Sequence, residues 1–144
     1  MRNLTVRRRK AFAGCAGKVK IYIEDINGDT DINGTKCRFL GKLKNNESAT
    51  YEIGNEKCKI FAIYDSMSKV YCNDFHTIPE GEKDIEVTGV AHFNPFMGNP
   101  FYFDGADEEA LANRKKNGGK GKMIMIPIMI VAVVAGFLIG FFLL

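Results

Sequence analysis

Lys57-Cys58-Lys59-Ile60-Phe61-Ala62-Ile63-Tyr64 is the stretch on which the fold turns. Cys58, Ile60, Ala62 and Tyr64 fall on one side of an extended chain, and Phe61 and Ile63 lie behind them. A period of two belongs to a strand, and apolar residues on both sides place that strand in a core. Upstream, Val19, Ile21 and Ile23 alternate with Lys18, Lys20, Tyr22 and Glu24, which gives one buried and one wet face. The same pattern predicts strands over 36–40, 49–53, 73–78, 83–88 and 101–103, with Gly, Asn, Asp or Pro punctuation between them. Asn27-Gly28 and Asn33-Gly34 suit tight turns because both residue types accept positive φ, and Pro79-Glu80-Gly81 marks another turn. The expected fold is all-β, a small antiparallel β-sandwich or open barrel of about six or seven strands.

The chain has 144 residues, 20 Lys and Arg against 17 Asp and Glu, and a formal net charge of +3. The charge is partitioned. Residues 1–10 carry five bases and no acid, residues 18–110 carry ten bases against all 17 acids, and residues 111–122 carry five more bases. This composition excludes a collagen-like chain, a wholly disordered one, a disulfide-dense miniprotein and a multi-domain enzyme. It divides into a basic arm (1–17), the β-sandwich head (18–106), a short helix with a basic Gly and Lys linker (107–122), and a terminal apolar segment (123–144).

That last segment contains no charge and no Asn, Gln, Ser, Thr or His, with Pro127 near its start. As a helix it is roughly 33 Å long, against a hydrocarbon core of about 30 Å, so one C-terminal transmembrane α-helix and a tail-anchored, single-pass membrane protein are expected. Arg114, Lys115, Lys116, Lys120 and Lys122 precede the segment. By the positive-inside rule they place the head in the cytoplasm. Ala11 to Ala13 is too short for a signal core, which also argues against Cys15 as a lipidated residue. Arg7, Arg8, Arg9 and Lys10, with the five bases before the span, either lie on an anionic leaflet, at about 1 kcal/mol per base, or form a solvated tail beside a solvated linker. Ala132, Gly136 and Gly140 recur every fourth residue, a spacing that allows a homodimer through the helix, although glycine is common in membrane helices that do not pair. The arginines lack interleaved aromatics, and nucleic acid is not expected as a partner.

Residues 39–88 carry a turn and strand pattern: Phe39-Leu40-Gly41-Lys42-Leu43-Lys44-Asn45-Asn46-Glu47, then Ile53-Gly54, Lys59-Ile60-Phe61-Ala62-Ile63, and Phe75 through Ile78-Pro79 to Gly81. It resembles the small, broadly PEGA-like β-sandwich repeats of membrane-anchored proteins in Gram-positive bacteria. There a turn of the form G-x-L-x-N-G-E precedes a strand ending in an apolar run. The resemblance implies a β-sandwich and transfers no catalytic residue.

Asp29-x-Asp31-x-Asn33-Gly34 matches the start of a calcium loop, but Cys37 and Leu40 occupy the later ligand positions, so an acidic hairpin turn is expected. Cys15, Cys37, Cys58 and Cys72 form no C-x-x-C pair, and His76 and His92 supply no second pair of ligands, so no zinc site and no cofactor are expected and the thiols are read as reduced. Bridges from Cys58 to Cys37 or to Cys72 become credible only if the head is secreted, and the sequons at Asn3, Asn33 and Asn46 would matter only in such a chain. Cys72, Asp74 and His76 would share one strand face, yet neighbours two apart stand about 7 Å from each other, too far for a proton relay. That face is read as exposed and polar. Asn94-Pro95-Phe96 and Asn99-Pro100-Phe101 repeat a tripeptide, and Phe96, Met97 and Phe101 are the candidate partner-binding residues. The expected function is non-enzymatic: a cytoplasm-facing β-sandwich that binds a protein partner or scaffolds an assembly. The alternative is an outward-facing envelope module that binds wall polymer or calcium.

Overall fold

The computed structural model describes residues 1–12, 15–64, 74–92, 100–116, 130, 131, 133 and 134. Nine strands form two sheets: β1 (Arg2–Arg8), β2 (Val19–Glu24), β3 (Thr30–Ile32), β4 (Thr35–Leu43), β5 (Ser48–Ile53), β6 (Cys58–Tyr64), β7 (Asp74–Ile78), β8 (Ile85–Ala91) and β9 (Phe101–Phe103). The smaller sheet runs β5-β1-β8-β9 and the larger runs β3-β4-β2-β6-β7. A short helix, α1, covers 108–116. All strand pairs are antiparallel except β1 and β8, which run parallel from Leu4 opposite Ile85 to Arg8 opposite Gly89.

Alternation builds the core as expected over β2 and β6. Val19, Ile21 and Ile23 pack with Ile60, Ala62 and Tyr64 between the sheets, where Leu4, Val6, Leu43, Val87, Phe101 and Phe103 join them. Phe61, behind β6, belongs to a smaller cluster with Phe75, Cys37 and Ile32 on the outer face of the larger sheet. Ala110 of α1 covers that cluster. A side chain at Gly89 would collide with the Phe101 ring, its Cβ lying 2.4 Å from the nearest ring carbon. The missing side chain therefore lets β9 close the sheet.

The turns form where the sequence places them. Asn33 and Gly34 both have positive φ, 54° and 82°, and join β3 to β4 as a two-residue hairpin. Asn46, with φ 61°, makes the left-handed step between β4 and β5, and the Glu47 carboxylate accepts a hydrogen bond from Lys44 N at 2.6 Å. Asparagine tolerates that conformation better than other residues with a side chain.

The expected fold class needs three corrections. Among the described residues there are nine strands instead of six or seven, and one pairing is parallel. Among the described residues no helix is long and apolar enough to cross a membrane, so the expected transmembrane helix, and with it the tail-anchored, single-pass description, is not carried forward. Of 123–144 only residues 130, 131, 133 and 134 are described. A crossing needs about 20 apolar residues in one helix, and the described helix α1 spans only 108–116.

Two strands were not expected, the three-residue β3 and β1, which lies inside the expected basic arm. Its inward row is Arg2, Leu4, Val6 and Arg8, apolar only in the middle. Arg2 reaches the turns at one end of the sandwich, donating to Gly54 O (3.2 Å), Pro79 O (2.5 Å) and Glu56 O (3.4 Å). Arg8 donates to Gly17 O (2.7 Å) and Leu43 O (3.0 Å) at the other end, with its guanidinium 5.7 Å from the centre of the Tyr64 ring. Buried guanidinium groups are tolerable because carbonyl oxygens replace their water. A free arm would make Leu4 irrelevant to stability. As a core residue on β1, Leu4→Ala is expected to cost about 2–5 kcal/mol in urea unfolding, with the amides of 4–7 protected from hydrogen exchange. An unchanged midpoint would contradict this.

Candidate functional site

At the Arg2 end of the sandwich a cleft of about 690 Å³ opens between the β2–β3 connection, the β3–β4 hairpin and the β5–β6 turn. Its wall carries both signs of charge, with Glu24, Asp25 and Glu56 facing Lys36, Arg38 and Lys57. Three hydrogen bonds pin the β2–β3 turn: Asp25 N to Lys36 O (2.9 Å), Gly28 N to Asp25 O (2.8 Å), and Asn27 N to the Asp25 carboxylate (3.0 Å). Arg38 pairs with the other Asp25 oxygen at 3.1 Å. On this turn Ile26 is 83% exposed and lines the cleft. The floor includes Cys58, whose thiol is pushed up by burial and by Glu24 and Glu56, against a lowering by Arg2. The Cys37 thiol is pushed up to about 12, by burial first and then by Glu24 and Asp31. Neither sulfur is a nucleophile near neutral pH.

A second cluster lies where β7, β9 and α1 meet. Asp74 is fully buried, and its carboxylate accepts from Phe103 N (2.7 Å) and from Arg114 Nη2 (2.6 Å) and Nε (3.0 Å). Arg114 also donates to Phe103 O (2.7 Å) and lies 4.6 Å from the centre of the Tyr102 ring. Burial pushes the Asp74 carboxyl up, and Arg114 with the N–H groups of Phe103 and Phe75 pulls it back. Asp107 caps α1, accepting from Ala110 N at 2.8 Å and Thr77 Oγ1 at 2.7 Å, and these bonds hold its carboxyl below the usual range. His76 sits half-buried between them, 6.1 Å from Phe103 by ring centres.

The structure separates most of the residues singled out from sequence. Asp29 and Asp31 are exposed and turned to local partners, Thr30 Oγ1 and Gly34 N, while Asn33 serves the hairpin. Among the described residues no group of three or more His, Cys, Asp or Glu side chains converges as a metal site would require. Phe101 is fully buried, so it cannot act as an exposed partner contact; Phe96 and Met97 lie outside the described residues. Arg8 and Arg114 are internal hydrogen-bond donors and not part of a membrane-facing surface, whereas Arg7, Lys10, Lys115 and Lys116 are exposed. Arg9 is half-exposed and pairs with Asp104 at 2.8 Å. Cys72, Lys120, Lys122, Ala132, Gly136 and Gly140 lie outside the described residues. Asp74 faces the core, contrary to the exposed polar strand expected for it.

Ile26, Arg2 and the Arg114 partnership were not expected from the sequence. For Ile26 a signal existed, a large apolar residue enclosed by Asp, Asn and Gly. For Arg114 none did, because its acceptor lies 40 residues earlier.

Removing either member of a buried ion pair strands the other. Asp74→Ala and Arg114→Ala are each expected to cost about 3–5 kcal/mol in urea unfolding, and the double variant much less than the two losses combined. Small additive losses would show that the pair is not buried.

Burial lowers the His76 pKa, against the raising effects of Asp107 and Asp74. The unfolded chain therefore takes up a proton at about pH 6.5 that the folded chain accepts only at lower pH. Its contribution to stability is present above that pH and is lost on acidification. Unfolding midpoints are expected to fall between pH 7.5 and 5.5 in the wild type and to fall less in His76→Gln.

Comparison with protein-family models and with curated proteins gave no match to this chain.

Proposed function

We propose that the chain is a non-enzymatic binding module whose β-sandwich holds a protein partner at the charged cleft. Ile26 carries this proposal. A turn pinned by three hydrogen bonds presents a large apolar side chain to water at the cleft rim. Rigid presentation reduces the entropy lost on binding, and an exposed apolar anchor beside charged groups is the usual build of a protein-binding hot spot. The mixed charge of the wall favours a partner segment of mixed charge over a polyanion.

The groups with reactive chemistry support a non-enzymatic role. The Asp74 carboxylate is engaged by Arg114 and Phe103, and the Cys37 and Cys58 thiols are held protonated. Cys15, Cys37 and Cys58 are unbridged, which favours a reducing compartment such as the cytoplasm. The likeness of residues 39–88 to PEGA-like repeats belongs with this proposal, as a further case of a small sandwich without catalytic residues.

The test is proximity labelling in cells with wild type, Ile26→Asp and Arg38→Glu. Loss of a hot-spot anchor costs about 2 kcal/mol, or about thirtyfold in Kd. Ile26→Asp is therefore expected to remove at least one protein neighbour while leaving the unfolding midpoint in place. An identical neighbour set in both variants would refute the cleft as the binding surface.

A further inference from the structure

Among the described residues the two sheets have four edge strands, β5 and β9 in one, β3 and β7 in the other. Three are defended. β3 is three residues long. β9 is also three residues long, and its outward groups at Phe103 are taken by the Asp74 carboxylate and the Arg114 guanidinium. β7 is held under the α1 side of the sandwich through Asp74 to Arg114 and Thr77 to Asp107. β5 differs. Its six residues pair with β1 without a bulge, from Arg2 opposite Ile53 to Arg7 opposite Ser48, and the strand contains no Pro and no Lys.

The hydrogen-bond phase of β5 follows from its neighbours. Arg8 N donates to Glu47 O (2.8 Å) on the β5 side, whereas Arg9 N donates to Gly89 O (2.9 Å) and Asn3 N to Asp84 Oδ1 (2.8 Å) on the β8 side. Even-numbered residues of β1 therefore bond to β5. Antiparallel pairing then turns Ala49, Tyr51 and Ile53 toward β1 and leaves the N–H and C=O groups of Ser48, Thr50 and Glu52 pointing outward. Among the described residues no backbone hydrogen bond reaches them. A regular edge of this kind is a template for another strand.

We propose that the occupant is a second copy of this chain, paired antiparallel through β5 about a two-fold axis at Thr50. In that register Thr50 meets the partner's Thr50, and Ser48 meets the partner's Glu52, so all three outward residues are used and no like charges stand opposite. Charge complementarity selects this occupant. Arg7 is exposed, forms no ion pair with a described residue, and lies across from Ser48 on the same sheet face. The partner's Glu52 then stands on the far side of Ser48, about 9.6 Å from Arg7 along the sheet, a gap that the two long side chains span over a small serine. The symmetry makes this contact twice. The product is one continuous eight-stranded sheet.

The experiment is sedimentation velocity of the full chain in a non-ionic detergent, over a range of concentrations. Wild type is expected to show a concentration-dependent dimer. Thr50→Pro removes an outward N–H and leaves the backbone bonds to β1 intact, losing only the exposed hydroxyl contact with Thr5, so it is expected to give monomer with little change in unfolding midpoint. Arg7→Glu and Glu52→Arg are each expected to weaken the dimer about tenfold, and the two together to return it to within about threefold of wild type. The charge exchange decides the matter if Thr50→Pro does not fold. A wild type that stays monomeric, as an edge built for an unrelated peptide would, overturns the proposal. So does a dimer that both single charge reversals leave unchanged.

Discussion

The inward row of β1, Arg2-Leu4-Val6-Arg8, is the constraint on which the sandwich depends. β1 bonds to β5 on one side and β8 on the other, so the smaller sheet cannot close without it. Seven residues of strand run roughly 23 Å, long enough to carry a guanidinium to each end of the core while two aliphatic side chains fill the middle. Carbonyl groups of the turns at both ends would otherwise face a dry boundary with no donor. Arg2 and Arg8 supply those donors, and their own charge is tolerable only because the turns supply the oxygens. Core and turns are thus mutually dependent, and the cleft inherits its shape from the β5–β6 turn that Arg2 holds.

On the side away from β5, Asp74 and Arg114 make a comparable closure. The carboxylate from the larger sheet takes the N–H of Phe103 in the smaller sheet, and Arg114 from α1 takes the carbonyl of the same residue. Three elements meet at one residue, Phe103. Such a pair is a modest source of net stability but a strong source of register, because any slip of β9 leaves buried groups unpaired. It also shields that edge from outside strands. The two ends of the smaller sheet therefore differ in chemistry, one sealed by an ion pair and one presenting regular backbone.

Much of the architecture was legible in local spacing. Val19 to Ile23 and Ile60 to Tyr64 alternate with period two, and both became central strands of the larger sheet. Asn33-Gly34 became the hairpin its positive φ permits, and Asp107 became the cap of a short helix. β1 was illegible because arginine at two inward positions erases its hydropathy signal. β3 carries one buried residue, Ile32, too few to show any period. The parallel pairing of β1 with β8 joins residues about 80 positions apart, beyond the reach of any local pattern. The transmembrane helix was expected from side-chain preference alone, and no described helix has the length and apolarity of a crossing.

Residue order alone settled seven of the nine described strands, where the chain turns, and that the acidic middle carries the head, since these follow from steric and hydropathic preferences acting over a few residues. Which charged groups are buried was settled only by the folded chain. Arg2 and Arg8 became core residues, Arg114 an internal donor and Asp74 its acceptor, while Ile26 was left in water. The reason is that a charge is buried only where oxygens or nitrogens converge around it, and these partners come from positions 9 to 77 residues away.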